Sequence, residues 1–203
     1  NNIIAFKISG INIGLANSIR RILIAEIPTM CINFVNILEN SSNLHDNIIA
    51  HRLGLIPFHS KYANKFKYTW ELDNVSNDYL YEVEYKLNVT NKTEHIVDVT
   101  TNDLVLIENN QISKYKQLFY KSVKPITYDS DPIVITKLNT GQQLSFKCSV
   151  RKGIAKEHAK YQPTTVVGYD IIDDNTFNFI VETTGVLNIV EVMNKTLDIL
   201  KDK

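Results

Sequence analysis

The sequence predicts an α+β fold, with an amphipathic helix near each end and a strand-rich stretch between them. Three observations carry this. From Gly14 to Pro28 the string GLANSIRRILIAEIP places Leu15, Ile19, Ile22 and Leu23 at helical spacing on one apolar face. Near the other end, Asn188 with Glu191 three residues on is a capping-box variant, and Val192, Met193, Thr196, Leu197 and Leu200 continue it as an apolar stripe. Between Lys61 and Val150, short alternating runs separated by turn residues give a β pattern.

Taken in order, Ile3 to Ser9 partly alternates and reads as a strand, with Gly10 at the turn. The first helix must stop at Pro28, which lacks the N–H needed to continue and pushes Ile27 out of the helical region. Arg20 and Arg21 diverge by about 100°, so both cannot point into the apolar face. Met30 to Leu38 is an apolar, partly β-branched run expected to form a buried strand, and Asn40 to Asn43 a polar turn. Asp46 is expected to cap a short helix from Asn47 to Leu53, with Gly54 as a left-handed terminator. Tyr81, Val83, Tyr85, Leu87 and Val89 share one face of a strand, opposite Glu82, Glu84 and Lys86. Further strands are expected at His95 to Val99, Leu104 to Glu108, Ile133 to Leu138 and Leu144 to Val150. Turns at Asn109-Asn110, Asp131-Pro132 and Asn139 to Gly141 separate them. Thr165 to Ile172 and Phe177 to Glu182 complete the set, flanking a polar break at Asp173 to Asn175.

Composition bounds the function. The 203 residues carry no net charge, with 44% hydrophobic and 22% charged, an ordinary globular balance. No apolar run reaches the ~20 residues of a membrane helix. The chain opens on Asn1 rather than Met and has no signal-peptide pattern, as a chain lacking its first natural residues would. Zero net charge argues against direct sequence-specific nucleic-acid binding, which draws on a basic stripe; Arg151, Lys152, Lys156 and Lys160 come nearest, and Glu157 dilutes them. Cys31 and Cys148 read as buried free thiols. Asn-x-Ser/Thr triplets at Asn40, Asn74, Asn88, Asn91 and Asn194 would accept glycans in a secreted protein, but chance triplets are expected in a chain this rich in Asn. An extracellular, free-standing β-sheet binding module is the rival they leave open.

Enzyme signatures are lacking. The sequence has no Walker loop, GxGxxG, GxSxG or HExxH. Glu157 and His158 are adjacent, which suits neither a metal pair nor an acid–base pair, and His45, Asp46 and His51 lack a third ligand.

Three strings carry a resemblance: ANSIRRILIAEIPT in the first helix, IIAHRLGLIPF from Ile48 to Phe58, and RKGIAKEHAKYQP from Arg151 to Pro163. Their content and order resemble the α-like subunits of multisubunit RNA polymerases, most of all the third-largest subunit of RNA polymerase II and its archaeal D-type counterpart. The resemblance implies a discontinuous dimerisation domain, residues 1–38 and 172–203, with a β-rich domain, 39–171, inserted near Leu38 and Ile171. It implies a non-catalytic assembly subunit that pairs with a smaller α-like subunit of the eleventh-subunit type. The pair then forms the platform for the second-largest (β-like) and largest subunits, with small zinc-containing subunits as further partners. No cofactor is expected on this chain, and magnesium is expected on the catalytic subunits.

By the same resemblance, Arg20 and Arg21 face the β-like subunit, supported by Asn17 and Glu26; the plain alternative is two solvated arginines. His51, Arg52, Lys152, Lys156, Glu157 and His158 are carried over as partner contacts, and Val192, Met193, Leu197 and Leu200 as the dimerisation stripe. Arginine suits such a role because its planar fork pairs with carboxylates in a fixed geometry. The chain departs from its family in one respect: Lys61 to Tyr81, where a cysteine-rich metal loop is common, has no cysteine. Tyr62, Tyr68 and Trp70 are expected to hold that loop by packing. The expected location is the nucleus for a cellular eukaryotic source, or virion and host cytoplasm for a large DNA virus, intracellular in either case.

Overall fold

The computed structural model describes residues 2–71, 80–109, 112–127 and 131–203. The Asn74 triplet, Asn110 and part of the expected packed loop lie outside these residues.

The chain forms β1 (Ile3–Ser9), α1 (Ile13–Ala25), β2 (Thr29–Asn40), α2 (Asp46–Gly54), β3 (Glu82–Thr90), β4 (Val97–Thr100), β5 (Val105–Leu106), α3 (Lys114–Ser122), β6 (Val134–Leu138), β7 (Gln143–Gly153), β8 (Thr164–Asp173), β9 (Thr176–Thr183) and α4 (Ile189–Lys201), with short 3-10 turns between. Antiparallel pairing gives an end sheet ordered β1-β9-β8, a middle sheet ordered β2-β7-β3-β5, and a β4-β6 pair. In the end sheet Phe6 lies opposite Phe179, and the two rings stack 5.3 Å apart.

The sheets divide the chain elsewhere than expected. Leu38 falls inside β2, which pairs with β7 from Thr29 to Asn40, and Ile171 falls inside β8, which pairs with β9. Met30 and Ile32 join the middle core with Phe58, Phe66 and Phe146, whereas Val167 joins the end core with Leu23, Phe179 and Val192. The breaks between sheets therefore lie at Pro28 and Pro163, where strands begin, and not at 38 and 171.

Local chemistry explains the helices. The Asn12 side chain accepts from the Leu15 N–H at 2.8 Å and starts α1, and Ala16, Ile19, Ile22 and Leu23 are its buried face. Leu15, expected on that face, is 37% exposed because it sits in the first turn before the helix meets the sheet; Ala16 takes its place. In α2 the cap is His45, whose Nδ1 accepts from Asn47, so Asp46 is already helical. Gly54 stays in the helix, and Leu55, with φ −90°, is the C-cap; no left-handed terminator forms. The expected face of β3 holds for Val83, Tyr85 and Leu87, but Val89 is half-buried and Tyr81 exposed. The unbroken β reading of Lys61 to Val150 is overturned by α3, which turns Phe119 and Tyr120 into the middle core. In α4 the capping box of Asn188 and Glu191 is present in full.

Candidate subunit-contact surfaces

Three segments that are far apart in sequence meet at the seam between the two sheets. The Thr29 hydroxyl, at the start of β2, donates to the Tyr161 carbonyl at 2.7 Å, and the Thr164 hydroxyl donates to the Leu23 carbonyl in α1 at 3.1 Å. The Lys156 N–H donates to the Ala25 carbonyl at the end of α1. Gly153 makes this crossing possible: a Cβ there would lie 2.5 Å from the Tyr161 ring. The three strings that carry the family resemblance thus converge on one region, with α2 reaching it through Leu55.

Glu26 is the electrostatic knot of the seam. Its Oε1 takes Lys156 at 2.9 Å and Lys203 at 2.7 Å, joining the ends of α1 and α4 to the seam loop. Burial pushes this carboxyl up, but the hydrogen bonds and charge of the two lysines outweigh it and hold the carboxyl below its ordinary value. Glu26 and Lys156, expected to meet a partner, are therefore satisfied within the chain.

The arginine pair divides by role. Arg20 is half-buried, and its Nε donates to the Val167 carbonyl of β8 at 3.1 Å, which fixes the guanidinium against the sheet. Arg21 and Asn17 are exposed on α1. Lys152 turns inward, donating to the Phe66 carbonyl at 3.1 Å and sitting 3.8 Å over the Tyr68 ring; burial lowers its pKa. Tyr68 in turn stacks on Trp70 at 4.3 Å, and Tyr62 packs on Phe119, so all three aromatics expected to hold this segment do so. The assignment of Lys152 as a partner contact is thus replaced by one of anchoring the segment before Trp70.

On α4, Val192 is fully buried in the end core, which removes it from the expected dimerisation stripe. The side that faces outward runs Val190, Met193, Leu197 and Leu200, with Val190 60% and Leu197 48% exposed and the other two half-buried. The spacing i, i+3, i+7 and i+10 is one helical face. Val190 escapes a sequence reading because the capping box sets the start of the stripe beyond Glu191; extending the stripe one turn back includes it. Ile13 on α1 is also exposed.

His51 and His158 line one cavity of about 190 Å³ together with Lys160, and His158 also caps a 3-10 turn by accepting from the Lys160 N–H at 3.1 Å. Arg52 donates to the carbonyls of Ile135 and Val134, both at 2.9 Å. Glu157 is exposed. Cys31 and Cys148 are buried free thiols, as expected, each pushed up to about 12 by burial. Among the described residues no three His, Cys, Asp or Glu side chains converge on a point where a metal could be held, and no helix is long and apolar enough to cross a membrane.

Residues 5–203 match the family described as the RNA polymerase Rpb3/Rpb11 dimerisation domain. The chain is 38% identical to DNA-directed RNA polymerase II subunit rpb3 of Dictyostelium discoideum over 169 residues, which are 83% of this chain and 54% of that protein. It is 37% identical to DNA-directed RNA polymerase subunit Rpo3 of Methanocaldococcus jannaschii over 191 residues, 94% of this chain and 81% of that one. Identity to RPAC1, a subunit of human DNA-directed RNA polymerases I and III, is 30% over 217 residues, 96% of this chain and 61% of that one. The chain spans about half the length of the first curated relatives it matches, between 52% and 57%. With a match that runs almost end to end and relatives above 30% identity, the chain belongs to the Rpb3/Rpb11 dimerisation-domain family of RNA polymerase subunits.

Proposed function

We propose that this chain is a non-catalytic assembly subunit of a multisubunit DNA-directed RNA polymerase. The observation that carries the reading is the family match over residues 5–203, joined to an outward apolar face on α4 that the chain itself leaves open. In this reading Val190, Met193, Leu197 and Leu200, with Ile13 of α1, pack on a smaller α-like subunit. Burial of such side chains contributes about 1.5–3 kcal/mol each. The end sheet with α1 and α4 acts as the dimerisation domain, and the middle sheet as the inserted one. The finished heterodimer is the platform on which the β-like and largest subunits dock, with magnesium and phosphoryl transfer on those subunits. Arg21 and Asn17 offer polar contacts to the β-like subunit, and Arg20, pinned on Val167, presents its remaining donors in a fixed direction. The chain's location in the cell follows that of the assembled enzyme.

Purification of the tagged chain from its native source, with identification of stoichiometric partners, tests this. The expected outcome is an α-like subunit together with two large polymerase subunits. Recovery of the chain alone, or shifted in mobility by deglycosylation, would overturn it.

A further inference from the structure

Three cavities of about 240, 660 and 190 Å³ adjoin one another at Leu55, which lines all three. Leu55, just past α2, is 53% exposed. On one side the walls are apolar, formed by Ile133, Ile135 and Val186. On the other they are cationic, formed by Arg52 and Lys160. Among the described residues no Asp or Glu lines any of the three.

The two cations are held by neutral oxygens. Arg52 donates to the main-chain carbonyls of Val134 and Ile135, and Lys160 Nζ donates to the Ile32 carbonyl at 3.0 Å and to Asn33 Oδ1 at 2.9 Å. Such oxygens orient a cation without neutralising it. A partner that covered the groove with apolar surface alone would strip water from two positive charges and give nothing back. A partner that brought carboxylates would find both cations already in place, so little side-chain entropy is lost on pairing. An apolar anchor beside fixed, desolvating charges is also where binding energy concentrates in interfaces.

We propose that this groove receives an acidic, apolar segment of a neighbouring polymerase subunit, with an apolar side chain of that segment on Leu55 and Ile133 and its carboxylates on Arg52 and Lys160. The proposal rests on the polymerase reading above. Nucleic acid also carries negative charge, but a phosphate backbone makes no use of Leu55, Ile133 and Val186, and the chain as a whole is neutral.

The test uses the assembled, purified polymerase containing the tagged chain. A photo-cross-linking residue, p-benzoylphenylalanine, is placed at position 55 and, in a separate preparation, at position 197, and cross-linked peptides are identified by mass spectrometry. The expected result at 55 is a peptide of another subunit in which acidic residues flank an apolar one. Combining Arg52→Glu with Lys160→Glu should lower that cross-link about tenfold or more while the cross-link at 197 persists. Because Arg52 also braces β6, a second variant, Leu55→Glu at an exposed position, is expected to release the same segment with the chain folded. A cross-link to nucleic acid, to a basic or uncharged peptide, or none at 55 beside a clear one at 197, overturns the groove and leaves the subunit reading standing. No cross-link to a polymerase subunit at either position overturns both.

Discussion

In the middle unit, α2 and α3 contribute Ile49, Leu53, Phe119 and Tyr120 to a core that already holds Phe58, Phe66 and Phe146 at or near zero exposure. In the end unit, α1 and α4 bury Leu23 and Val192 on the sheet but turn Ile13, Val190 and Leu197 to solvent. The difference is one of completeness. The middle unit closes its apolar surface within the chain, and its outward features are charged side chains on neutral acceptors. The end unit carries two apolar faces on one helix, one for its own sheet and one left over. A helix with apolar residues on two sides is stable in water only when something covers the second. The units thus differ in where their stability resides: inside the chain for one, across an interface for the other.

The sharpest way to break that comparison is a core truncation. Phe146→Ala removes a fully buried ring from the middle unit and should cost about 3–5 kcal/mol, lowering the midpoint of thermal unfolding equally in the isolated chain and in the heterodimer. A deficit that disappears on pairing would mean that the middle unit, too, relies on its partner. Next in size, Val190→Asp with Leu197→Asp should leave the isolated chain within about 0.5 kcal/mol of its starting stability. The same double change should weaken the heterodimer by roughly a hundredfold or more, read by titration of the α-like subunit. Equal effects on both measurements would place that face inside the chain's own fold.

The smallest effect separates the seam from both units. The Glu26 carboxyl is depressed below its ordinary 4.5, so its contribution is present above that pH and fades as pH falls through the lower folded value. Wild type should therefore lose more stability than Glu26→Gln between about pH 5 and about pH 3. Parallel curves would show that the two lysines contribute nothing through this acid.

How much of this can be read in the sequence depends on how local the cause is. Both end helices are legible because their signals lie within one turn: Pro28 stops α1, and Asn188 with Glu191 starts α4. The helix α3 is not legible. KYKQLFYKS is rich in aromatic residues that favour strands, Ser113 makes no side-chain capping bond, and what selects the helix is distant. The Tyr120 hydroxyl donates to the Ile107 carbonyl and accepts from the Glu84 N–H, contacts that exist only once β3 is in place. The arginine pair stands out in the sequence but its division of labour does not, since the carbonyl that pins Arg20 is 147 residues away. The groove at Leu55 is invisible for the same reason: its apolar wall and its cations come from α2, β6 and the seam loop, and no window of sequence holds them together.

Gly153 gives the seam a tolerance narrower than that of any turn in the chain. Gly10, Gly141 and Gly185 adopt positive φ, so the backbone itself resists a side chain there; Gly153 does not, and what resists is occupied space. A single methyl at 153 would displace the Tyr161 ring, and with it the carbonyl that receives the Thr29 hydroxyl. The path of the loop between the two sheets is thus written in the thickness of one aromatic ring. Drift at this position is limited by a neighbour's volume, while drift in the exposed residues Lys156 to Ala159 beside it is limited only by the contacts their side chains make.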